Sequence, residues 1–260
     1  MGRQHRLAWR RPAWSGRLVY AIGSAVVGVF LAVFSRFRVA RLRGQRKVAN
    51  NLPDGPIIVI ANHTSYLDGL LLAIVARRMG RTLRMLATAG VFRAPIVGGL
   101  ARRVGFIPVE RRGPDPAAAL GPALDALAAG EAVGLFPEGR ISRDPQQWPE
   151  RARTGMVRLA LRSGAPVVPI AMVGAHRVIP RRRILSRVML NAVLRPEVAV
   201  VVGTPIDVVA LVPPAAQDAG PEDVPELRAV TDQVMGELVA LVERLRASTA
   251  PDPVGVERSS

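Results

Sequence analysis

The pair of side chains best suited to proton transfer in this chain is His63 and Asp68, five residues apart. The apolar residues 57–61 before the pair predict a buried strand, and the apolar residues after it predict a helix. An α-helix turns about 100° per residue, so two helical positions five apart would not share a face. We therefore place His63 in the turn after the strand and Asp68 in the first turn of the helix, reaching back to the imidazole. The carboxylate would orient one ring nitrogen while the other accepts a proton, as in a general base.

The same residues are also compatible with a helix cap. Ser65 can be the N-cap, with Asp68 as its capping-box partner three residues later, and His63 would then be an ordinary loop residue. A carboxylate has two oxygens, so the cap and the histidine contact can be present together. The local sequence leaves both interpretations open.

The composition excludes several other kinds of site. The 260-residue chain has no cysteine, which rules out disulfides, a thiolate nucleophile and cysteine ligands for zinc. Its three histidines are far apart in sequence and belong to no HExxH or EF-hand motif. The single lysine, Lys47, is not in a GxxxxGK loop, and no GxSxG nucleophile elbow occurs. We therefore expect a site with neither a metal nor a cofactor.

Charge is distributed unevenly along the chain. The formal net charge is +16, and residues 1–50 contain eleven arginines and lysines but no acidic residue. Such a basic segment predicts an anionic partner, either nucleic acid or a membrane with acidic lipids. Aromatic residues make up only 4% of the chain and no helix-turn-helix, zinc-finger or RNP pattern occurs, so the membrane is favoured over nucleic acid.

An apolar segment, residues 18–34, lies within this basic region and contains 17 uncharged residues between Arg17 and Arg36. As a helix it would span roughly 26 Å, slightly less than the hydrocarbon core of about 30 Å. Arginines stand where a signal peptide would have its cleavage site, so we predict an uncleaved anchor. Both flanks are basic, so the charge rule gives no orientation, and the helix either spans the membrane or lies in one leaflet. A buried helix of a globular domain is the alternative.

The rest of the chain alternates short apolar runs with helical segments, which is typical of an α/β fold with a mixed, mostly parallel central sheet flanked by helices. Strands are predicted over residues 57–61, 83–88, 105–109, 132–136, 167–173 and 198–202. Helices are predicted over residues 68–78, 94–103, 115–129, 154–163 and 225–247. These elements form a domain, residues 48–247, between a basic anchoring segment, residues 1–47, and a flexible tail, residues 248–260.

Four segments carry a resemblance to a known family. In chain order they are Asn62-His-Thr-Ser-Tyr-Leu-Asp68, Gly105-Phe-Ile-Pro-Val-Glu-Arg111, Phe136-Pro-Glu-Gly139 and Val167-Val-Pro-Ile170. In order and spacing they resemble the four blocks of the glycerolipid acyltransferases, whose best-known members are the 1-acylglycerol-3-phosphate acyltransferases. The resemblance covers residues 50–206 and favours a catalytic His63.

The resemblance implies a role for each matching residue. His63 is expected to remove the proton from the acceptor hydroxyl, with Asp68 as its orienting partner, and the acceptor oxygen would attack the thioester of an acyl donor directly. Arg111 resembles the arginine expected to hold the acceptor phosphate, whose oxygens a guanidinium can bind in a bidentate geometry. Glu138 and Gly139 resemble residues that shape the acceptor site.

The third block departs from the common Glu-Gly-Thr-Arg-Ser form and has the sequence Glu138-Gly-Arg-Ile-Ser142. Arg140 occupies the threonine position, and either Arg140 or Arg143 would then contact the acceptor headgroup; we include Arg140 among the expected acceptor-binding residues. The departure leaves the acceptor open. Lysophosphatidate is favoured, and a lysolipid of the glycolipid, ornithine lipid or lysophosphatidylglycerol type is the alternative.

The resemblance thus implies a membrane-bound acyltransferase that uses acyl-CoA or acyl carrier protein as donor and a lysophospholipid as acceptor. The favoured reaction converts 1-acylglycerol-3-phosphate to phosphatidic acid. Because such donors are found in the cytoplasm, we place the protein at the cytoplasmic face of the plasma membrane, in contact with anionic lipids. A noncatalytic basic protein that binds membrane or nucleic acid through its first fifty residues is an alternative of a different class.

Overall fold

The structure, a computed structural model, describes Trp9 and residues 11–40, 52–109, 118–180, 184–214 and 225–249. These residues form a seven-stranded sheet between two layers of helices. Five strands of the sheet are parallel to one another and two run the other way. The predicted fold class, an α/β fold with a mixed and mostly parallel sheet, is confirmed.

The strands are β1 (Arg36–Ala40), β2 (Ile57–Ala61), β3 (Leu83–Thr88), β4 (Ile107–Val109), β5 (Ala132–Leu135), β6 (Val167–Val173) and β7 (Glu197–Val202). Their order across the sheet is β1-β7-β6-β2-β5-β3-β4. β7 is antiparallel to β6, and β1 is parallel to β7. Consequently β1 and β7 begin at the end of the sheet where the carboxyl ends of β2 and β6 lie.

The helices are α1 (Trp14–Phe34), α2 (Asp68–Arg78), α3 (Ala89–Arg93), α4 (Val97–Arg103), α5 (Gly121–Ala128), α6 (Gly155–Ser163), α7 (Ala175–Val178), α8 (Ile184–Leu194), α9 (Val208–Leu211) and α10 (Pro225–Ala247). Apolar residues of α1, α2 and α7 pack on the face of the sheet that contains Ile57 and Val59. Residues of α5, α6 and α10 pack on the opposite face, with Ile58 and Ile60. Both faces are covered, so β2 is a continuous apolar run and all of it is buried.

Some predicted bounds are wrong. The predicted helix 94–103 begins only at Val97, as α4, because Ala94 precedes a proline and is extended, and Ile96 has φ +64°. The predicted strand 105–109 begins only at Ile107, since Gly105 has φ +76°. Within the predicted helix 115–129, the described part consists of a 3-10 turn, Ala118–Leu120, followed by α5. The helix predicted over 225–247 has the bounds of α10. β1, α3, α7, α8 and α9 were not predicted.

α1 lies along the domain, where it contacts α2, α4 and α8. The buried hydroxyl of Tyr20 donates a hydrogen bond to the carbonyl oxygen of Ala73 in α2, 3.1 Å away, and accepts one from the N–H of Leu83 in β3, 3.2 Å away. At the other end of the helix, the guanidinium of Arg195 donates to the carbonyl oxygen of Ala32, at 2.7 Å. The helix is therefore fastened to the domain near both ends.

The opposite side of α1 is apolar and exposed. We call it the outer stripe; its residues recur every three or four positions and are Trp14, Leu18, Ile22, Val26, Val29 and Val33. Within the described ranges, α1 is the helix long and apolar enough to cross a membrane. The predicted apolar helix 18–34 is present, begins four residues earlier and indicates association with a membrane. The boundaries predicted for residues 1–47 and 248–260 stay predictions.

Candidate active site

The loop after β2 carries His63, and the residue before it is fixed to the neighbouring strand β6. The side-chain N–H of Asn62 donates to the carbonyl oxygen of Met172, and the N–H of Met172 donates to the side-chain oxygen of Asn62, both at 2.8 Å. Asn62 is buried, so this reciprocal pair is shielded from water. The loop that contains His63 therefore starts from a fixed position at the carboxyl end of β2.

His63 and Asp68 are in direct contact. Nδ1 of His63 lies 3.0 Å from Oδ2 of Asp68, which is the first residue of α2. The aspartate side chain is fully buried, whereas 17% of the histidine side chain is exposed. A carboxylate accepts hydrogen bonds, so Nδ1 carries the hydrogen and Nε2 is the basic nitrogen. Nε2 has no hydrogen-bond partner in the part of the chain that the structure describes.

The same carboxylate oxygen also holds the turn between the strand and the helix. Oδ2 of Asp68 accepts hydrogen bonds from the backbone N–H groups of Thr64 and Ser65. The bond from Ser65 is half of the predicted capping box. The N-cap position, however, is occupied by Leu67, whose N–H donates to the hydroxyl of Ser65. The cap-like contact and the histidine contact are thus present together, through one oxygen and not two.

The imidazole of His63 stacks on the ring of Phe136. The ring centroids are 3.9 Å apart and the planes differ by 9°. Phe136 directly follows β5, which is hydrogen-bonded to β2. The stack restrains rotation of the imidazole, while Asp68 fixes one of its edges. No role was predicted for this phenylalanine, although an aromatic residue at the end of a neighbouring buried strand was the available signal.

Glu138 connects the histidine loop to the loop after β5. Its Oε1 accepts a hydrogen bond from the N–H of His63 and its Oε2 one from the N–H of Glu150, both at 3.0 Å. The carbonyl oxygen of His63 accepts a further bond from the N–H of Ser142, at 2.7 Å. Burial raises the pKa of Glu138 to about 7, although the two N–H groups favour the charged form. Both oxygens of this carboxyl therefore bind backbone.

Gly139 and Arg140 continue the same loop. Gly139 has φ +71°, a left-handed conformation that glycine adopts without a steric penalty. The guanidinium of Arg140 bonds the carboxylate of Glu150, with Nε 3.0 Å from Oε2, and thereby holds the pKa of Glu150 below its usual value. The second carboxylate oxygen of Glu150 accepts a hydrogen bond from the backbone N–H of Arg143. Among the described residues the side chain of Arg143, which is exposed, has no partner.

The structure brings five of the predicted site residues into one cluster of loops: His63, Asp68, Glu138, Gly139 and Arg140. Arg111 lies outside the described residues. No group of three or more His, Asp and Glu side chains that could hold a metal ion is found in the described ranges.

His176, in α7 directly after β6, received no role from the sequence. Its Nδ1 is buried and finds no hydrogen-bond partner within the described ranges. Burial and the neighbouring charge of Arg177 lower the pKa of His176, while the charge of Asp68 acts in the opposite direction. His176 is therefore close enough to Asp68 for the charge of that carboxylate to affect its pKa.

Comparison with known proteins adds the family. A family described as Acyltransferase matches residues 41–173, about half of the chain, and this segment contains His63, Asp68 and Glu138. The chain belongs to the Acyltransferase family. Membership implies, in general terms, an acyl donor and a lipid acceptor for this acyltransferase.

Individual relatives resemble this acyltransferase over part of their length. It is 30% identical to 1-acyl-sn-glycerol-3-phosphate acyltransferase BAT2 of Brassica napus over 133 residues, which are 50% of this chain and 37% of that protein. It is 34% identical to an uncharacterized protein of Mycobacterium tuberculosis over 170 residues, which are 60% of this chain and 44% of that protein. The acyltransferase thus spans less than half of either relative.

The fold of this acyltransferase is similar to a solved structure. The crystal structure of the 1-acyl-sn-glycerophosphate acyltransferase PlsC from Thermotoga maritima matches with a TM-score of 0.61 and 22% sequence identity. The match covers 91% of this chain and 81% of that one. At this level of identity the likeness shows the fold alone.

Proposed function

We propose that this acyltransferase moves a fatty acyl chain from acyl-CoA or acyl carrier protein to the free hydroxyl of 1-acylglycerol-3-phosphate, which gives phosphatidic acid. The main support is the contact of 3.0 Å between a partly exposed His63 and a fully buried Asp68, together with an Nε2 that has no hydrogen-bond partner among the described residues. The similarity to BAT2, which is named for this reaction, supports the acceptor. Family membership also favours an enzyme over the noncatalytic basic protein.

The proposed reaction is a direct transfer. Nε2 of His63 takes the hydroxyl proton as the acceptor oxygen bonds to the carbonyl carbon of the thioester. The tetrahedral intermediate then collapses, the carbon–sulfur bond breaks, and the imidazolium returns its proton to the departing thiolate. Asp68 stabilises the imidazolium throughout. No acyl-enzyme is needed, which agrees with a chain that has no cysteine, and holding both substrates at the base supplies several kcal/mol.

We assign the acceptor phosphate to arginines beside the third block. Arg140 was the expected contact, but its guanidinium is engaged by Glu150. Arg143 is three residues further along the chain, and its side chain is exposed and free of partners in the described ranges. Arg143 is therefore the better candidate in this loop for binding the acceptor phosphate. We propose that Arg111, from the second block, binds the same phosphate. A guanidinium suits the oxygens of a phosphate monoester because it can donate two parallel hydrogen bonds.

We propose that α1 lies in the plane of one leaflet. A helix that crossed the bilayer alone would have few contacts with the domain, whereas α1 contacts α2, α4 and α8 and buries Tyr20. Its outer stripe is the face left for lipid. Beside α1, helix α8 exposes a second apolar group, which consists of Met189, Leu190, Val193 and Leu194. Because acyl-CoA and acyl carrier protein are cytoplasmic, we place this surface on the cytoplasmic face of the plasma membrane.

Acyl transfer to lysophosphatidate by the purified full chain tests the catalytic assignment. We expect His63→Ala to abolish transfer and Asp68→Asn to reduce kcat by several orders of magnitude, because the aspartate orients and stabilises the imidazolium. Asp125→Asn, on an exposed position of α5 in the opposite layer, is the matched control and keeps full activity. Transfer at the wild-type rate by a folded His63→Ala variant would refute the mechanism.

A panel of acceptors tests the substrate. Lysophosphatidate, lysophosphatidylglycerol, a lyso-ornithine lipid and a glycolipid acceptor are compared with one acyl donor. We expect the highest kcat/KM with lysophosphatidate. Preference for an acceptor without a phosphate monoester would replace the proposed substrate but would leave the role of His63 intact.

A further inference from the structure

A groove of about 660 Å³ lies at the C-terminal end of α1. It is lined by residues of α1, β1, α2 and the turn between α8 and β7, and it shares no residue with the candidate active site. We call it the arginine groove. Its lining includes Ala32, Arg36, Arg38, Arg78, Arg195 and Glu197.

The groove carries excess positive charge. Its carboxylate, Glu197, is paired with Arg38, whose Nε lies 2.5 Å from Oε1. Arg36, Arg78 and Arg195 are exposed, and in the part of the chain that the structure describes none of the three forms an ion pair with a carboxylate. Within the described ranges, three arginines that line the groove therefore have no carboxylate partner.

Two of the unpaired arginines are held in place without losing their charge. The guanidinium carbon of Arg78 lies 5.0 Å from the ring centroid of Phe37 in β1, a cation–π contact. Arg195 donates one hydrogen bond to the carbonyl oxygen of Ala32, and its remaining N–H groups have no acceptor among the residues that the structure describes. The groove is thus preorganised for an anion, and an arginine can offer a phosphate two parallel hydrogen bonds.

The groove adjoins the outer stripe of α1. Ala32, in its wall, lies next to Val33 and one turn from Val29, and both valines are exposed. A ligand with an anionic head and an apolar tail would therefore cover both surfaces, with the head among the arginines and the tail along the helix. A free phosphate ion would use only the first.

We propose that the arginine groove binds the phosphate of an anionic glycerophospholipid of the surrounding leaflet, while the acyl chains of that lipid lie along the outer stripe. Arg36 and Glu197 begin β1 and β7 at the end of the sheet where β2 ends, which is also the end that carries His63. A lipid bound in the arginine groove would hold this end of the sheet at the membrane surface. The inference rests on membrane association and is independent of the acyl acceptor.

Binding of the full chain to vesicles, without an acyl donor, tests the site. Phosphatidylcholine vesicles with and without phosphatidylglycerol are compared by co-sedimentation. The double variant Arg36→Gln, Arg78→Gln is expected to bind the phosphatidylglycerol vesicles about 30-fold more weakly, with no change for pure phosphatidylcholine. The matched control, Arg162→Gln with Arg244→Gln, loses the same charge from α6 and α10 in the opposite layer and is expected to bind nearly as the wild type.

Two further measurements separate the explanations. Inorganic phosphate is expected not to displace the protein from vesicles at concentrations where phosphatidylglycerol binds, since it lacks the apolar part. The groove variant should keep acyl transfer to soluble short-chain lysophosphatidate, and His63→Ala should keep vesicle binding. Equal losses in the groove and control variants, an unchanged groove variant, or equally tight binding of inorganic phosphate would overturn the lipid site.

Discussion

The backbone N–H of His63 donates a hydrogen bond to Oε1 of Glu138, 3.0 Å away. The position of the proposed base therefore depends on a carboxyl group that is only 7% exposed and whose other oxygen holds Glu150. The residue expected to shape the acceptor site thus acts on the backbone of the histidine loop. A substitution at Glu138 should consequently affect both stability and kcat.

The raised pKa of Glu138 makes stability depend on pH. Its pKa rises from 4.5 to about 7 on folding, so the group stabilises the fold below pH 4.5 and loses that contribution as pH rises through about 7. This shift corresponds to about 3 kcal/mol. Glu138→Gln cannot ionise, and its unfolding midpoint should fall less between pH 5 and pH 8 than that of the wild type. Glu237→Gln, exposed on α10, is the control and should keep the wild-type slope; an equal slope in Glu138→Gln would contradict the assignment.

Phe136 should contribute to the rate through the orientation of the imidazole. Phe136→Leu removes the stack of 3.9 Å and leaves Asp68 as the main restraint on the ring. We expect kcat to fall about tenfold, which corresponds to about 1.4 kcal/mol, with KM unchanged for both substrates. Phe136→Tyr keeps the aromatic face and should retain most of the activity. A leucine variant with wild-type kcat would show that the stack has no catalytic role.

Arg143 and Arg140 should differ in their effect on the acceptor. Arg143→Gln is expected to raise KM for lysophosphatidate about tenfold, because one charge-assisted contact to the phosphate is lost. Arg140→Gln removes only the exposed pair with Glu150 and should change KM little. Steady-state kinetics with lysophosphatidate and a phosphate-free lysolipid measure both effects. The reverse order of effects would return the headgroup role to Arg140.

Tyr20 should stabilise the docking of α1. Tyr20→Phe leaves the buried N–H of Leu83 without its acceptor and should lower the free energy of unfolding by about 1–3 kcal/mol. Tyr66→Phe changes an exposed tyrosine and should stay within about 0.5 kcal/mol of the wild type. Chemical denaturation of the two variants compares them directly, and similar values would mean that the hydroxyl of Tyr20 is not needed.

A side chain at position 139 should destabilise the fold because of the backbone conformation there and not because of a steric clash. A Cβ there would meet no atom closer than Nε of Arg153, at 3.8 Å, but φ is +71°. Gly139→Ala is therefore expected to cost about 1–2 kcal/mol of stability. Gly155→Ala, at the start of α6 with open space and no positive φ, should cost nothing. The thermal unfolding midpoints of the two variants test this prediction. Equal changes for Gly139→Ala and Gly155→Ala would contradict the conformational explanation.

The sequence predicted the histidine turn well because its information is local. A strand followed at once by a helix leaves only one short turn for His63, and the spacing to Asp68 places the carboxylate at the start of α2. The last helix, α10, has a regular apolar stripe and also agrees with the prediction.

Contacts between distant segments could not be predicted in the same way. β1 alternates Arg36, Phe37, Arg38 and Val39, but its partner β7 lies far along the chain, so its arginines were interpreted only as a flank of the anchor. The use of both Glu138 oxygens by backbone N–H groups depends on two loops that meet only in the folded chain. The late start of the helix predicted over 94–103, at Val97, did have a local signal, Pro95.

The pairing of β1 with β7 makes the membrane helix part of the folded unit. Truncation of the first forty residues would remove an edge strand together with the helix and would uncover the row of free N–H and C=O groups along β7, which promotes edge-to-edge aggregation. A water-soluble form of this enzyme should therefore be sought by polar substitutions on the outer stripe and not by shortening the chain.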